Sequence, residues 1–125
     1  MANNQLIVVP GITEDKLTKC FNKHYGTNIS DRMNKFGEEY DETVDALANL
    51  QMCESYDVDD IPDFEEYSKI LLESNKKFNE ELCDMYAILT QIMVNRGLFH
   101  QQSLYDMIDK TEGRAKDPNY RRHGK

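Results

Sequence analysis

Apolar residues recur at three- and four-residue steps along most of this 125-residue chain. They nowhere alternate with the period of two that a half-buried strand needs. Between Ser30 and Gln51 the steps are Met33, Phe36, Tyr40, Val44, Leu47 and Leu50; between Asp63 and Arg96 they are Phe64, Tyr67, Leu71, Ser74, Phe78, Leu82, Met85, Leu89 and Ile92. Both runs predict amphipathic helices. Thr13 is expected to cap an earlier helix that reaches about His24, where Tyr25-Gly26 stops it. Ser30 is expected to cap the second. Pro62 or Asp63 opens the third and Gly97 closes it, with Ser74-Asn75 the candidate break in so long an element. A fourth helix, about Gln102 to Thr111, leads to Gly113 and a polar tail.

The division along the chain is then an irregular arm at 1–12, a helical domain at 13–112 and a basic tail at 113–125, with residues 53–63 an acidic loop inside the domain. The fold class is all-α. The third helix carries Ile70, Leu72, Ile88 and Met93 beside its main stripe, so it is apolar on more than one side and must be covered on more than one side. A four-helix-bundle core completed by oligomerisation, as a homodimer or homotetramer, is the expected architecture.

Composition narrows the function classes. With 39% hydrophobic and 30% charged residues the chain is of a soluble globular type. No apolar run approaches a membrane span, and Leu6-Ile7-Val8-Val9 is too short for a signal-peptide core, so a cytoplasmic protein is expected. Cys20, Cys53 and Cys83 form no metal or disulfide spacing; Cys20 and Cys83 read as small core fillers. Of the net charge of −8, the stretch Arg114 to Lys125 carries +4, which leaves −12 on the body. Such a body repels nucleic acid, and stable nucleic-acid binding is not expected.

The acids are not spread evenly. Glu38, Glu39, Asp41, Glu42 and Asp45 crowd eight positions of the second helix with no basic residue among them, and Glu80, Glu81 and Asp84 sit together on the third. Glu39 with Glu42, and Glu81 with Asp84, each stand at i and i+3 and so share a helix face. Like charges so placed weaken an isolated helix. If the helices pack antiparallel the two pairs face each other, and four carboxylates become a cage for a hard cation. A di-iron site would need Glu-x-x-His, which is absent, and Asp57-Val58-Asp59 fails as a calcium loop at Ile61, Pro62 and Ser68. Tyr40, Tyr67, Tyr86 and Phe78 read as core aromatics rather than a base-stacking surface.

The segments Phe36-Gly37-Glu38-Glu39-Tyr40-Asp41-Glu42 and Asn79-Glu80-Glu81-Leu82-Cys83-Asp84 resemble the Glu-x-x-Glu and Glu-x-x-Asp signature of the all-α NTP pyrophosphatases, the MazG-like and dimeric dUTPase group. The resemblance covers about residues 30–116. It implies that Glu39, Glu42, Glu81 and Asp84 hold Mg²⁺, with Mn²⁺ as a substitute, and that Glu38 and Glu42 help to deprotonate the attacking water. Lys110, Arg114 and Asn119, with Lys35, are the matching candidates for holding phosphates. The implied reaction turns a nucleoside triphosphate into the monophosphate and pyrophosphate. The spacer from Glu42 to Glu81 is longer than the compact family pattern, which leaves subfamily, oligomer type and base preference open. The competing expectation, from charge alone, is a non-enzymatic acidic helical module, an inhibitor or adaptor for a basic partner.

Overall fold

Four helices account for the ordered backbone of the computed structural model, which describes residues 10–57 and 62–119: α1 (Ile12–Tyr25), α2 (Ile29–Glu54), α3 (Phe64–Asn95) and α4 (His100–Lys116). No strand occurs among the described residues. The expected arm falls largely outside them, as do residues 58–61 of the acidic loop and Arg121 and Arg122 of the tail.

The helix ends differ from the sequence expectation in instructive ways. Asn28, not Ser30, caps α2, its side-chain oxygen accepting from the Asp31 N–H at 3.0 Å; Gly11, not Thr13, precedes α1. Asp63 caps α3 by accepting from the N–H groups of Glu65 and Glu66. No break interrupts α3 at Ser74-Asn75. Gly26 and Gly97, with φ of 80° and 78°, turn the chain out of α1 and α3 in the left-handed region that glycine occupies without a Cβ penalty. α4 begins two residues earlier than expected and continues through Gly113 to Lys116, so Arg114 and Lys116 are helical rather than part of a loose tail.

α2 and α3 form an antiparallel hairpin, the main packing unit. Arg32 at the start of α2 meets Gln91 near the end of α3, while Cys53 at the end of α2 meets Ser74 and, through its carbonyl, the Tyr67 hydroxyl. The seam positions on α2 are Arg32, Phe36, Glu39, Thr43, Ala46, Leu50 and Cys53. On α3 they are Tyr67, Leu71, Ser74, Phe78, Glu81, Met85, Ile88 and Ile92, while Thr90 and Gln91 are buried outside this run, Gln91 against α1. Each set steps by alternate fours and threes, the seam of a coiled coil.

That seam corrects the expected stripes. Met33, Tyr40 and Val44 on α2, and Phe64, Leu82 and Leu89 on α3, are exposed. The phase slipped because polar residues occupy seam positions 32, 39, 43 and 81, leaving the apolar pattern to follow neighbouring residues. Tyr40 and Tyr86 are likewise exposed rather than core, whereas Tyr67 and Phe78 are partly covered. The cysteine assignment inverts: Cys53 is buried, and Cys20 and Cys83 are exposed.

α1 lies on the C-terminal part of α3, fastened by a polar cluster rather than by apolar burial. Gln91 donates to Asn22 Oδ1 and to the Gly26 carbonyl, both at 2.9 Å, and the amides of Asn22 and Asn95 exchange two hydrogen bonds. α4 packs on α3 alone, near its start, where His100 meets the Tyr86 ring edge-on and its hydroxyl at 3.3 Å. None of α4's residues is buried.

With Ala46, Leu50, Cys53 and Ile88 the only fully covered apolar side chains among the described residues, the single-chain core is thin. Leu50→Ala should therefore cost about 2–4 kcal/mol in urea unfolding, since the site has few neighbours to collapse onto it. In native protein a thiol reagent should modify Cys20 and Cys83 within the mixing time and Cys53 only as the protein unfolds; equal reactivity of all three would contradict the seam assigned to α2.

Candidate metal centre

Antiparallel pairing carries Glu39 of α2 to the side of α3 that bears Glu81 and Asp84. One carboxylate oxygen from each of the three lies within 4.8 Å of the other two. Glu42, one turn further along α2, is close enough that the negative charges of Glu39 and Glu81, together with desolvation, hold its pKa above the ordinary value. Glu39 and Glu81 are 7% and 3% exposed. Charged groups are placed there only at a cost of several kcal/mol each unless partners compensate.

The partners present are two lysines, each one turn before its carboxylate. Lys35 Nζ stands 3.3 Å from Glu39 and 3.4 Å from Glu38, and Lys77 Nζ stands 2.6 Å from Glu81. Both lysines have raised pKa values through these hydrogen bonds. Lys77 in turn holds Glu81 below the usual carboxylate range despite its burial. Asp84 has no lysine of its own; desolvation and the charges of Glu39 and Glu81 push it up. Five carboxylates against two ammonium groups leave an excess of negative charge. The second oxygens of Glu39 and Glu81 are buried with no hydrogen-bond donor among the described residues. Such orphaned oxygens fit a cation. Oxygen-only donors select a hard ion of the Mg²⁺, Mn²⁺ or Ca²⁺ kind over zinc or copper.

Beside the carboxylates a groove of 540 Å³ runs between α1, α2 and α3, lined by Phe21, Tyr25, Arg32, Lys35, Glu39, Asp84 and Ile88. Lys35, Glu39 and Asp84 were singled out from the sequence; Arg32, Phe21 and Tyr25 were not. Nor was Lys77, although its i,i+4 spacing to Glu81 was visible. Glu38 lies outside the trio as the exposed partner of Lys35. Lys110 and Arg114 are on α4, which contributes no residue to the groove lining. Asn119 lies beyond α4, its backbone N–H donating to Asp117 Oδ1 at 2.8 Å. Within one chain the structure thus brings together the acidic residues and Lys35, and leaves the expected C-terminal phosphate-binding group apart from them.

Comparison of the chain with protein-family models, with curated proteins and with solved structures finds no match in any of the three.

The opposed pKa shifts give the centre a readable pH response. Glu42 and Asp84, with raised values, take up protons on folding, so their contribution favours the fold on the acid side and is lost as pH rises through the raised range. Glu81, with a lowered value, acts oppositely, its contribution being lost only as pH falls below the ordinary carboxylate range. In chelator, wild-type protein should lose melting temperature relative to Glu42→Gln as pH rises from mildly acidic to neutral, and a divalent cation should abolish the difference. Parallel melting profiles of the two proteins in chelator would contradict the crowding of Glu42.

Proposed function

We propose that the protein is a divalent-cation-dependent nucleoside triphosphate pyrophosphohydrolase, with Mg²⁺ as its ordinary ion. The observation that carries this reading is the burial of Glu39 and Glu81 close together, each with one oxygen that has no donor among the described residues. An acidic module built to attract a basic partner would keep its carboxylates solvated on the surface, where burial costs nothing. Glu39, Glu81 and Asp84 would hold the ion, with Glu42 completing the set. A bound divalent cation there would supply charge neutralisation for phosphate oxygens.

The chain's own residues divide the remaining work. Glu42, whose pKa is held above the ordinary carboxylate value by the charges of Glu39 and Glu81 and by desolvation, is a stronger base toward water than an ordinary carboxylate. Glu38, exposed and tied to Lys35, is less suited to that role. Lys35 and Lys77 lie where they offset both the carboxylates and an incoming anion. Phe21 and Tyr25 line the far side of the groove, a surface fit for an apolar ring. Lys110, Arg114 and Asn119 take part in this reading only from a second copy of the chain. Exposed Leu104, Tyr105, Met107 and Ile108 on α4, with Met33, Tyr40 and Val44 on α2, support a homodimer or homotetramer that covers them.

No helix among the described residues is long and apolar enough to cross a membrane. Three cysteines free of disulfides suit a reducing compartment, and a cytoplasmic location is part of the same proposal.

Pyrophosphate release from a panel of ribo- and deoxyribonucleoside triphosphates in Mg²⁺ tests the activity. Glu39→Gln and Glu81→Gln should each lower turnover by roughly 100-fold or more while keeping the helical circular dichroism signal. Near wild-type turnover in either variant would end the reading, as would the absence of any hydrolysed triphosphate. Light scattering should return at least twice the chain mass, and a monodisperse active monomer would refute the assembly.

A further inference from the structure

The groove contains a second buried charge, opposite in sign to the carboxylates. Arg32 is 7% exposed. Among the described residues, no carboxylate forms an ion pair with it. A guanidinium keeps its proton in proteins, so it cannot escape burial by becoming neutral as a lysine can. Its desolvation is offset by hydrogen bonds, by an aromatic face, and at its terminal nitrogens, which reach the groove's solvent, by water or an anion.

The first two are present. Arg32 Nε donates to Oε1 of Gln91 at 2.9 Å, and the guanidinium carbon sits 4.9 Å from the centre of the Tyr25 ring. Gln91 has no freedom to turn away. It is fully buried, and its amide nitrogen is committed to Asn22 and to the Gly26 carbonyl, which leaves its oxygen for Arg32. A stacked ring restrains the guanidinium plane while leaving in-plane N–H groups available. The terminal nitrogens have no hydrogen-bond acceptor among the described residues. This is a fixed fork of donors with no anion.

Its placement indicates which anion. Arg32 and Glu39 are seven residues apart, so they share one face of α2 at a separation of about 10 Å along the axis. Lys35 lies between them, and all three line the same groove. A ligand in this groove meets carboxylates that favour a cation at one end, an ammonium midway and a guanidinium fork at the other. Forked guanidinium donors match the spacing of phosphate oxygens.

We propose that Arg32 is a phosphate-binding residue, its terminal nitrogens taking oxygens of a polyphosphate chain whose other end lies at Glu39 and Asp84. The identity of the ligand as a nucleotide's polyphosphate rests on the pyrophosphohydrolase reading; the open donor fork of Arg32 does not. Gln91 and Tyr25 are positioning residues that act through Arg32.

Calorimetric titration of the intact protein with inorganic tripolyphosphate, at a fixed saturating Mg²⁺ concentration, tests this without any turnover. Arg32→Lys keeps the charge and the stem but loses the fork, and Arg32→Gln loses both. Tripolyphosphate affinity should fall about tenfold or more in Arg32→Lys and further in Arg32→Gln, as expected for losing a charge-assisted hydrogen bond. Mn²⁺ affinity, measured on the same samples without polyphosphate, should stay within about twofold, since Arg32 is not an oxygen ligand. Unchanged tripolyphosphate affinity in Arg32→Lys and in whichever of the variants remain folded would overturn the proposal, as would a wild type that does not bind tripolyphosphate. Failure of the metal reading is separable, because it would appear as no Mn²⁺ binding by the wild type.

Discussion

Two carboxylates buried against each other at the α2–α3 seam, Glu39 and Glu81, set the terms for the rest of this molecule. A coiled-coil seam ordinarily places leucine or isoleucine at such positions, and their replacement by like charges opposes the very pairing that defines the fold. Lys35 and Lys77 reduce the conflict from the outside, each reaching one carboxylate from one turn earlier on its own helix. They leave two buried oxygens without donors among the described residues. Such crowding costs the hairpin stability, and it supports the cation site proposed above.

α3 is the element on which everything else is hung. It meets α2 along the seam, α1 through the Gln91–Asn22–Asn95 cluster and α4 at His100. Because α1 is fastened by amides rather than by a wide apolar interface, the groove wall that it forms depends on a few specific hydrogen bonds. The same cluster holds Arg32 Nε through Gln91, so the polar fastening and the proposed phosphate contact share one residue. In the proposed assembly, apolar faces of α2 and α4 left open by one chain meet those of another, and the shortage of core within 125 residues is made up between subunits.

The helices and their order were legible because three- and four-residue spacing survives over long stretches, and the acidic pairs because their i,i+3 placement is unusual without interleaved bases. The phase of the buried faces was not legible. Where Arg32, Glu39 and Glu81 take seam positions, a search for apolar stripes lands one residue aside, on Met33, Tyr40 and Leu82, which are exposed. Cys20 and Cys83, read as core fillers, are exposed as well. Gly113 hid the last turn of α4, because a glycine after a short periodic run reads as a stop although a helix tolerates it at about 1 kcal/mol. The groove was invisible in sequence: it joins α1, α2 and α3, and only tertiary packing brings Tyr25 under Arg32.

The central claim is that the α2–α3 carboxylates form one specific divalent-cation site. Titration of isotope-labelled protein with Mn²⁺, followed by paramagnetic broadening of backbone amide resonances, tests it most directly. The account predicts that substoichiometric Mn²⁺ first broadens residues around Glu39, Glu42, Glu81 and Asp84, Lys35 and Ile88 included, and that excess Mg²⁺ restores them. Broadening that begins instead at the solvated acids Asp41, Asp45, Glu65 and Glu66, or that spreads evenly over the acidic surface, would contradict it.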